Sequence, residues 1–295
     1  MTSKVSARAP VARYRRPMAA TLTPVGGAPT VGGLLREWRQ RRRLSQMDLA
    51  NEAAVSARHL SFVETGRSKP SPELVMHLAE HLEVPLRDRN ALLLAAGYAP
   101  RYAQTPLDAS EMAPVRAALD AILAGHHPFP AIVVDRHWDL VTANESALAL
   151  LTQGIADDLL APPVNALRVS LHPDGLAPRI VNFAAWANHL VDRLRREADL
   201  TADPALADLY DELCGFPGVS ASVGEPDAVS RLFVPLVLRV PDRGELSFFS
   251  TVATFGTARD VTLEELSIES FFPADAATAA ALGVGSGAAS GPTAG

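Results

Sequence analysis

Cysteine is nearly absent. The 295 residues contain one, Cys214, which excludes an intrachain disulfide and suits a reducing cytoplasm. Lysine is almost as scarce: Lys4 and Lys69 are the two that occur, so arginine carries nearly all the positive charge. No apolar run approaches the ~20 residues of a membrane span, so no membrane partner is expected. The first thirty residues lack a signal-peptide core, which again points to the cytoplasm.

What is present reads as globular: 48% hydrophobic and 20% charged residues, in a chain long enough for two ordinary domains. The net charge of −6 hides a division. Residues 1–100 hold 15 basic and 8 acidic side chains, a balance of +7, and the remainder holds 12 and 25, a balance of −13. A basic first third suits a polyanion, and an acidic remainder does not.

Composition and periodicity divide the chain further. Residues 1–30 carry five basic and no acidic side chains and no apolar period, as a disordered arm would. Residues 31–98 predict five short helices. Leu34, Leu35 and Trp38 face inward in the first, and Ser45, Ser56 and Ser71 cap the second, third and fourth. Gly66 stops the third helix, and Pro72 occupies the first turn of the fourth. Residues 99–114 form a proline-bearing linker.

From residue 115 to 273 the pattern changes. A short helix around Val115–Leu123 precedes strands at Ile132–Val134 and Trp138–Ala143 and a helix capped by Asn144. A long amphipathic helix over about Arg179–Glu197 and another over Pro204–Leu213 follow, and three strand-like runs close the domain. This order predicts an antiparallel sheet with helices on one face, an α+β domain behind an all-α one. Residues 274–295 read as a disordered small-residue tail.

The third helix poses the functional question. "VSARHLSFVETGRSKP" (55–70) places Arg58, His59, Ser61 and Phe62 outside, on a face that packing does not need. A bihelical unit reads base edges when its second helix begins with polar residues free of the core. The helix starts at Gln46 and at Ser56–Ala57 offer unpaired N–H groups and a positive dipole end to phosphate. Arg58 can donate bidentately to a guanine edge, and Phe62 can meet a thymine methyl. Arg67 and Lys69, just past the helix, suit phosphates.

Residues 44–84, "LSQMDLANEAAVSARHLSFVETGRSKPSPELVMHLAEHLEV", resemble the phage-repressor or Xre-type helix-turn-helix family. The resemblance implies a lambda-repressor-like five-helix domain that binds double-stranded DNA. Gln46 would touch the DNA backbone or an outer base, and Ala57, Arg58, Ser61 and Phe62 would face bases. Arg39 and Glu64 would form a buried ion pair. Ala57 is too short to hydrogen-bond a base, so specificity would lean on Arg58. One rival lies in the same segment: "HLAEH" (His77–His81) fits the inverted zinc-peptidase pattern. The apolar stripe of Leu78, Ala79 and Leu82 makes this helix packing material, and coincidence is the better reading.

Residues 101–273 show no nucleophile elbow and no phosphate-binding glycine loop, so neither catalysis nor a cofactor is expected. Cys214 reads as a buried thiol, and His126–His127 as loop surface without metal-ligand spacing. "PAIVVDRHWDLVTANESALALL" resembles the opening of a PAS domain. With "LLAPPVNALRVSLHPDGLAPRIVNFAAWANHL" and "ELSFFSTVATFGTARDVTLEELSIESFFPAD", it is similar to the C-terminal domain of MmyB-like transcription regulators. The resemblance implies a PAS-like fold, a homodimer and a small apolar ligand, with fatty acids suggested.

Candidate ligand contacts are His172, Arg179, Asn182, Phe183 and Trp186. The first three adjoin a helix start that favours an anionic head group, and the aromatics could line a cavity or be plain core. The expected function is a cytoplasmic DNA-binding regulator, a repressor by family habit. The alternative is a DNA-binding protein whose second domain only dimerises or docks a partner.

Overall fold

Side-chain caps start the helices where the sequence places them. In this computed structural model, which describes residues 29–220 and 234–283, Thr30 caps α1 (Val31–Arg41) and Ser45 caps α2 (Gln46–Glu52). Ser56 caps α3 (Ala57–Glu64) and Ser71 caps α4 (Pro72–His81), each accepting from the backbone three residues on. Helix α5 (Leu86–Ala95) starts at Pro85 without a cap of its own.

Then come α6 (Ala113–Gly125), β1 (Ala131–Val134), β2 (Leu140–Ala143), α7 (Glu145–Thr152), α8 (Ala166–Leu171), α9 (Phe183–Thr201) and α10 (Pro204–Cys214). Strands β3 (Leu236–Val240) and β4 (Gly244–Thr254), helix α11 (Val261–Glu264), β5 (Ser267–Pro273) and α12 (Ala276–Ala281) complete the described chain.

The described residues gather into two compact units, one holding 29–116 with Thr254–Glu265 and the other holding the rest. In the helical unit, Leu35, Leu49, Leu60, Val75, Leu78 and Leu82 are buried in one cluster. Each such burial is worth about 1.5–3 kcal/mol. Helix α1 lies close against α3: a Cβ at Gly32 would stand 2.3 Å from the Val63 carbonyl oxygen, so only glycine permits the approach. Gly66 ends α3 at φ 73°, a left-handed turn that costs glycine least.

Two arginines of the basic run work inside the fold. Arg39 clamps Glu64 through Nε at 2.7 Å and Nη2 at 2.9 Å. Arg42 donates to the Leu82 and Glu83 carbonyls at the end of α4. The missing cap of α5 comes from far along the chain: Leu86 N–H donates to Glu264 at 2.8 Å. Arg87 grips Glu265 through Nε at 2.6 Å and Nη2 at 2.8 Å, and Thr105 donates twice to Asp260. The 99–114 stretch is therefore tied down, with a short helix at Ser110–Met112.

The second unit is built on one sheet in the order β2-β1-β5-β4-β3. Strand β1 pairs antiparallel with both β2 and β5, and β3 pairs antiparallel with β4. All four residues of β1 are buried, which is why it reads as an unbroken apolar run rather than an alternation. Helix α9 buries Trp186, Ala187, Leu190, Val191 and Leu194, a stripe of helical period, and packs against α10. The whole is an α+β fold behind a five-helix region.

Four features depart from the sequence reading. Trp138 sits in a turn at φ 66° rather than opening a strand, because Asp135 folds back to accept from His137 and Asp139 N–H. Helix α8 arises unannounced, capped by Asn165. Helix α9 begins four residues after Arg179, which ends a short 3-10 turn. Finally, α12 forms inside the stretch expected to be a disordered tail. Alanine is the best helix former, Asp275 caps the helix, and Thr278 is buried with its hydroxyl accepting from Ser247 N–H. Of the expected arm, 1–28, and of the expected tail, 284–295, lie outside the described residues.

Two outcomes follow from the ion pairs. Arg39→Ala strands a buried carboxylate, and urea unfolding followed by circular dichroism is expected to show a loss of about 3–5 kcal/mol in the helical unit. Asp203, which caps α10, accepts from His137 and pairs with Arg136. Burial alone would raise its carboxyl, but the His137 hydrogen bond and the Arg136 charge bring it down from 3.8 to about 2. A depressed folded value stabilises the fold above the unfolded one, so this contribution is intact above pH ~4 and is lost as pH falls through about 2. Asp203→Asn is expected to flatten that part of the acid limb in melting-temperature profiles; an unchanged limb would refute the assignment.

Candidate functional site

The helical unit presents an outward face on α3. Arg58 and His59 are exposed, while Ala57, Ser61 and Phe62 are half-buried. The Ser56 hydroxyl accepts from His59 N–H at 3.0 Å, so Ser56 fixes the start of the helix. Two guanidinium groups approach the Phe62 ring, Arg58 at 5.4 Å and Arg67 at 5.9 Å from its centroid. These cation–π contacts hold both arginines beside the same aromatic ring. Lys69 stands 4.7 Å over Tyr98, and the Tyr98 hydroxyl donates to the Pro70 carbonyl.

Behind this face lies a three-member polar core. Gln46 donates to Glu64 at 2.7 Å, on the carboxylate oxygen that also receives Arg39 Nη2. Burial alone would raise the Glu64 carboxyl, but the Arg39 and Gln46 hydrogen bonds and the nearby positive charge hold it below the usual range. One amide hydrogen of Gln46 is thus committed to the fold, and its direction at the start of α2 is fixed. The histidines of the rival pattern have other work. His77 Nε2 bonds the Ala53 carbonyl at 2.7 Å, and the two rings meet edge-on at 4.8 Å. Among the described residues, no cluster of three His, Cys, Asp or Glu side chains stands at metal-binding spacing.

The second unit holds an apolar cavity of about 80 Å³ between the sheet and the helices. Leu238 of β3, Phe248 of β4 and Phe271 of β5 form its floor, and Leu167 of α8 with Trp186 and Leu190 of α9 form its roof. Its polar edges are Ser170, which accepts from Trp186 Nε1–H at 3.0 Å, and Glu269 on β5. Glu269 is 4% exposed, and burial pushes its carboxyl upward.

Of the five expected ligand contacts, the structure brings Trp186 to this cavity. Asn182 instead pairs with β3, donating to the Pro235 carbonyl and accepting from Val237 N–H. Phe183 packs at the cluster's margin and would meet a Cβ at Gly218. His172 turns to Phe216, edge to face, and accepts from Asp174 N–H. Arg179 donates to the Gln153 and Arg239 carbonyls. Its Nη2 is buried with no hydrogen-bond partner among the described residues, and burial lowers its pKa. A helix-start argument gathered His172, Arg179 and Asn182, and an aromatic stripe added Phe183, but a turn and a short 3-10 helix separate His172 from the start of α9.

Sequence reasoning missed Glu269, Ser170 and Trp138 as cavity residues. A signal existed for Glu269: in "SIESFFP" it shares the two-residue period with Phe271, so an acid stands on an aromatic-bearing face. Nothing local marked Ser170, since α8 went unseen.

Comparison with known families agrees with this geometry. The profile of the MmyB-like transcription regulator ligand binding domain matches residues 115–283, more than half of the chain. A helix-turn-helix domain profile matches residues 30–92. No curated protein matches the sequence. Both families are DNA-binding and ligand-binding domains of transcription regulators rather than enzymes, and no described helix is long and apolar enough to cross a membrane. A DNA-binding helix-turn-helix domain ahead of a ligand-sensing domain is the architecture of a transcription regulator, and this chain belongs to the MmyB-like family.

Proposed function

We propose that the protein is a cytoplasmic Xre-type repressor that acts as a homodimer and releases or engages its operator in response to a small apolar ligand. Residues 31–98 read DNA, and the PAS-like domain from residue 115 binds the ligand, for which the family resemblance suggests a fatty acid. The observation that carries the DNA reading is the outward face of α3, where Arg58 and Arg67 approach the Phe62 ring. Arg58, with Ser61 and Phe62, meets base edges in the major groove. Arg67, Lys69 and the helix start at Ser56 take phosphates, while His59, exposed beside them, borders the groove.

The cavity favours sensing over mere docking, because a module built only to dimerise has no need of an apolar void. The strand order supports the PAS-like reading. Chain connectivity supplies a route for the signal: β4 and β5, which bear Phe248 and Glu269 on the cavity, run directly into Thr254–Glu265, the segment gathered into the helical unit. A ligand that prefers one arrangement of these strands shifts operator affinity by its differential affinity and no more.

Two substitutions test the division of labour on α3. In binding assays of the full chain on its operator across a salt series, Arg58→Ala is expected to lose about 1–3 kcal/mol at a single base position. Arg67→Ala is expected to weaken all sequences alike and to lower the salt slope by about one. Equal loss of sequence discrimination from both variants would overturn the assignment.

A further inference from the structure

Helices α1 to α4 each begin on a hydroxyl from the residue just ahead of them, but α5 does not. Its first N–H is met instead by Glu264, 178 positions further on. That bond belongs to a larger attachment. Between β4 and β5 the chain runs through Thr254–Glu265 and the short helix α11, and this stretch gathers with the helical unit. Three carboxylates fasten it there. Asp260 accepts from Thr105 N–H at 3.0 Å and from the Thr105 hydroxyl at 2.7 Å. Glu264 accepts from Leu86 N–H at 2.8 Å. Glu265 receives Nε and Nη2 of Arg87 at 2.6 and 2.8 Å. Val261 adds a backbone bond, donating its N–H to the Ala103 carbonyl at 2.8 Å.

The chemistry of this clasp is unlike that of the core beside it. The helical core is apolar, with Leu35, Leu49 and Leu78 among its members. In Thr254–Glu265 the one buried apolar side chain is Val261. The other bonds are polar, and the Arg87 and Glu265 side chains are 34% and 15% exposed. Ion pairs within reach of water form and release with little net change in free energy. The clasp can therefore be remade while the core stays intact.

Both ends of the clasp lead to a functional element. Its flanks are β4 and β5, which carry Phe248 and Phe271 on the cavity, and Glu265 stands two residues ahead of β5. Its grip falls on α5, which buries Leu92 and Leu93 in the same core as Leu35 of α1 and Leu60 of α3. Helix α1 in turn is joined to α3 through Arg39 and Glu64. Arg87 itself belongs neither to the cavity lining nor to α3.

We propose that the Arg87–Glu265 fork, with the Glu264 cap beside it, is the coupling element of the regulator. It makes the position of α5 depend on strands β4 and β5, so that a change in the cavity walls alters how α3 is presented to DNA. This rests on the ligand-sensing, DNA-reading function proposed above and adds the residues that join its two halves. Arg87 and Glu265 are positioning residues: they govern how far operator affinity answers to the cavity, not whether either site binds.

The test measures, by fluorescence anisotropy, the affinity of the full chain for an operator duplex that the protein itself selects from a random pool. The cavity wall is altered in two ways, by Phe271→Leu and by added hexadecanoate, and each is repeated with Arg87→Ala. Either alteration is expected to shift operator affinity about threefold or more in the otherwise native chain. With Arg87→Ala the shift is expected to fall below about 1.5-fold, a non-additivity that a merely structural role does not produce. Arg87→Glu is expected to uncouple likewise, and Arg87→Glu combined with Glu265→Arg to restore the shift. The alanine comparison decides by itself should the exchanged pair fail to fold. A shift that survives Arg87→Ala undiminished, or a folded exchanged pair that restores nothing, overturns the clasp and leaves a regulator with another route. A shift from Phe271→Leu alone, abolished by Arg87→Ala, upholds the clasp and removes the fatty acid. No selected duplex, or no shift from either alteration in the native chain, removes the regulator reading and the clasp with it.

Discussion

The Arg39–Glu64 ion pair is the constraint on which the helical unit turns. It joins α1 to the last residue of α3, and Gln46 adds the start of α2 to the same carboxylate. Three helices are thereby indexed to one buried group. Without it, the close contact at Gly32 would still bring α1 against α3, but little would set their rotation. A buried pair of this kind contributes orientation more than net stability, because desolvation offsets most of its attraction. What it orients is the face bearing Arg58, Phe62 and Arg67, and a groove-reading helix works only when that face is held at a definite angle.

The second unit follows a different logic. Its sheet supplies a wall of alternate residues, and α8 and α9 supply the opposing wall, so the cavity exists because two apolar surfaces meet imperfectly. Most of its lining repels nothing and selects little. The polar groups at its edges are few, Ser170 and the buried Glu269 among them. The same strand that carries Glu269 leads back to Thr254–Glu265, where Glu264 caps α5 and Glu265 holds Arg87. Glu264 and Glu269, five positions apart, thus belong to different units, one capping α5 within the helical unit and the other lining the cavity.

Much of this was legible in the chain alone. Capping serines, Pro72 and Gly66 marked the boundaries of α2 to α4, and the apolar spacing of Leu60 and Val63 separated the inner from the outer face of α3. The outer residues could then be matched to chemistry one by one. These features are encoded within four or five residues of one another, which is why periodicity and propensity recover them. Helix α12 shows the limit of composition: an alanine-rich stretch read as a tail became a helix once Asp275 capped it and Thr278 found Ser247.

The cavity residues illustrate the other case. His172, Arg179, Asn182 and Phe183 cluster in sequence but not around the cavity, while Ser170, Trp138 and Glu269 meet there from three distant segments. The sequence by itself determined the helical unit, its outward basic and aromatic face, and the change from helical to strand periodicity, because each depends on local spacing. Tertiary structure alone decided where the cavity lies, which acid faces it and which arginines are consumed inside the fold. Those outcomes depend on how strands register and helices cross, and contacts between residues tens of positions apart leave no local period to read.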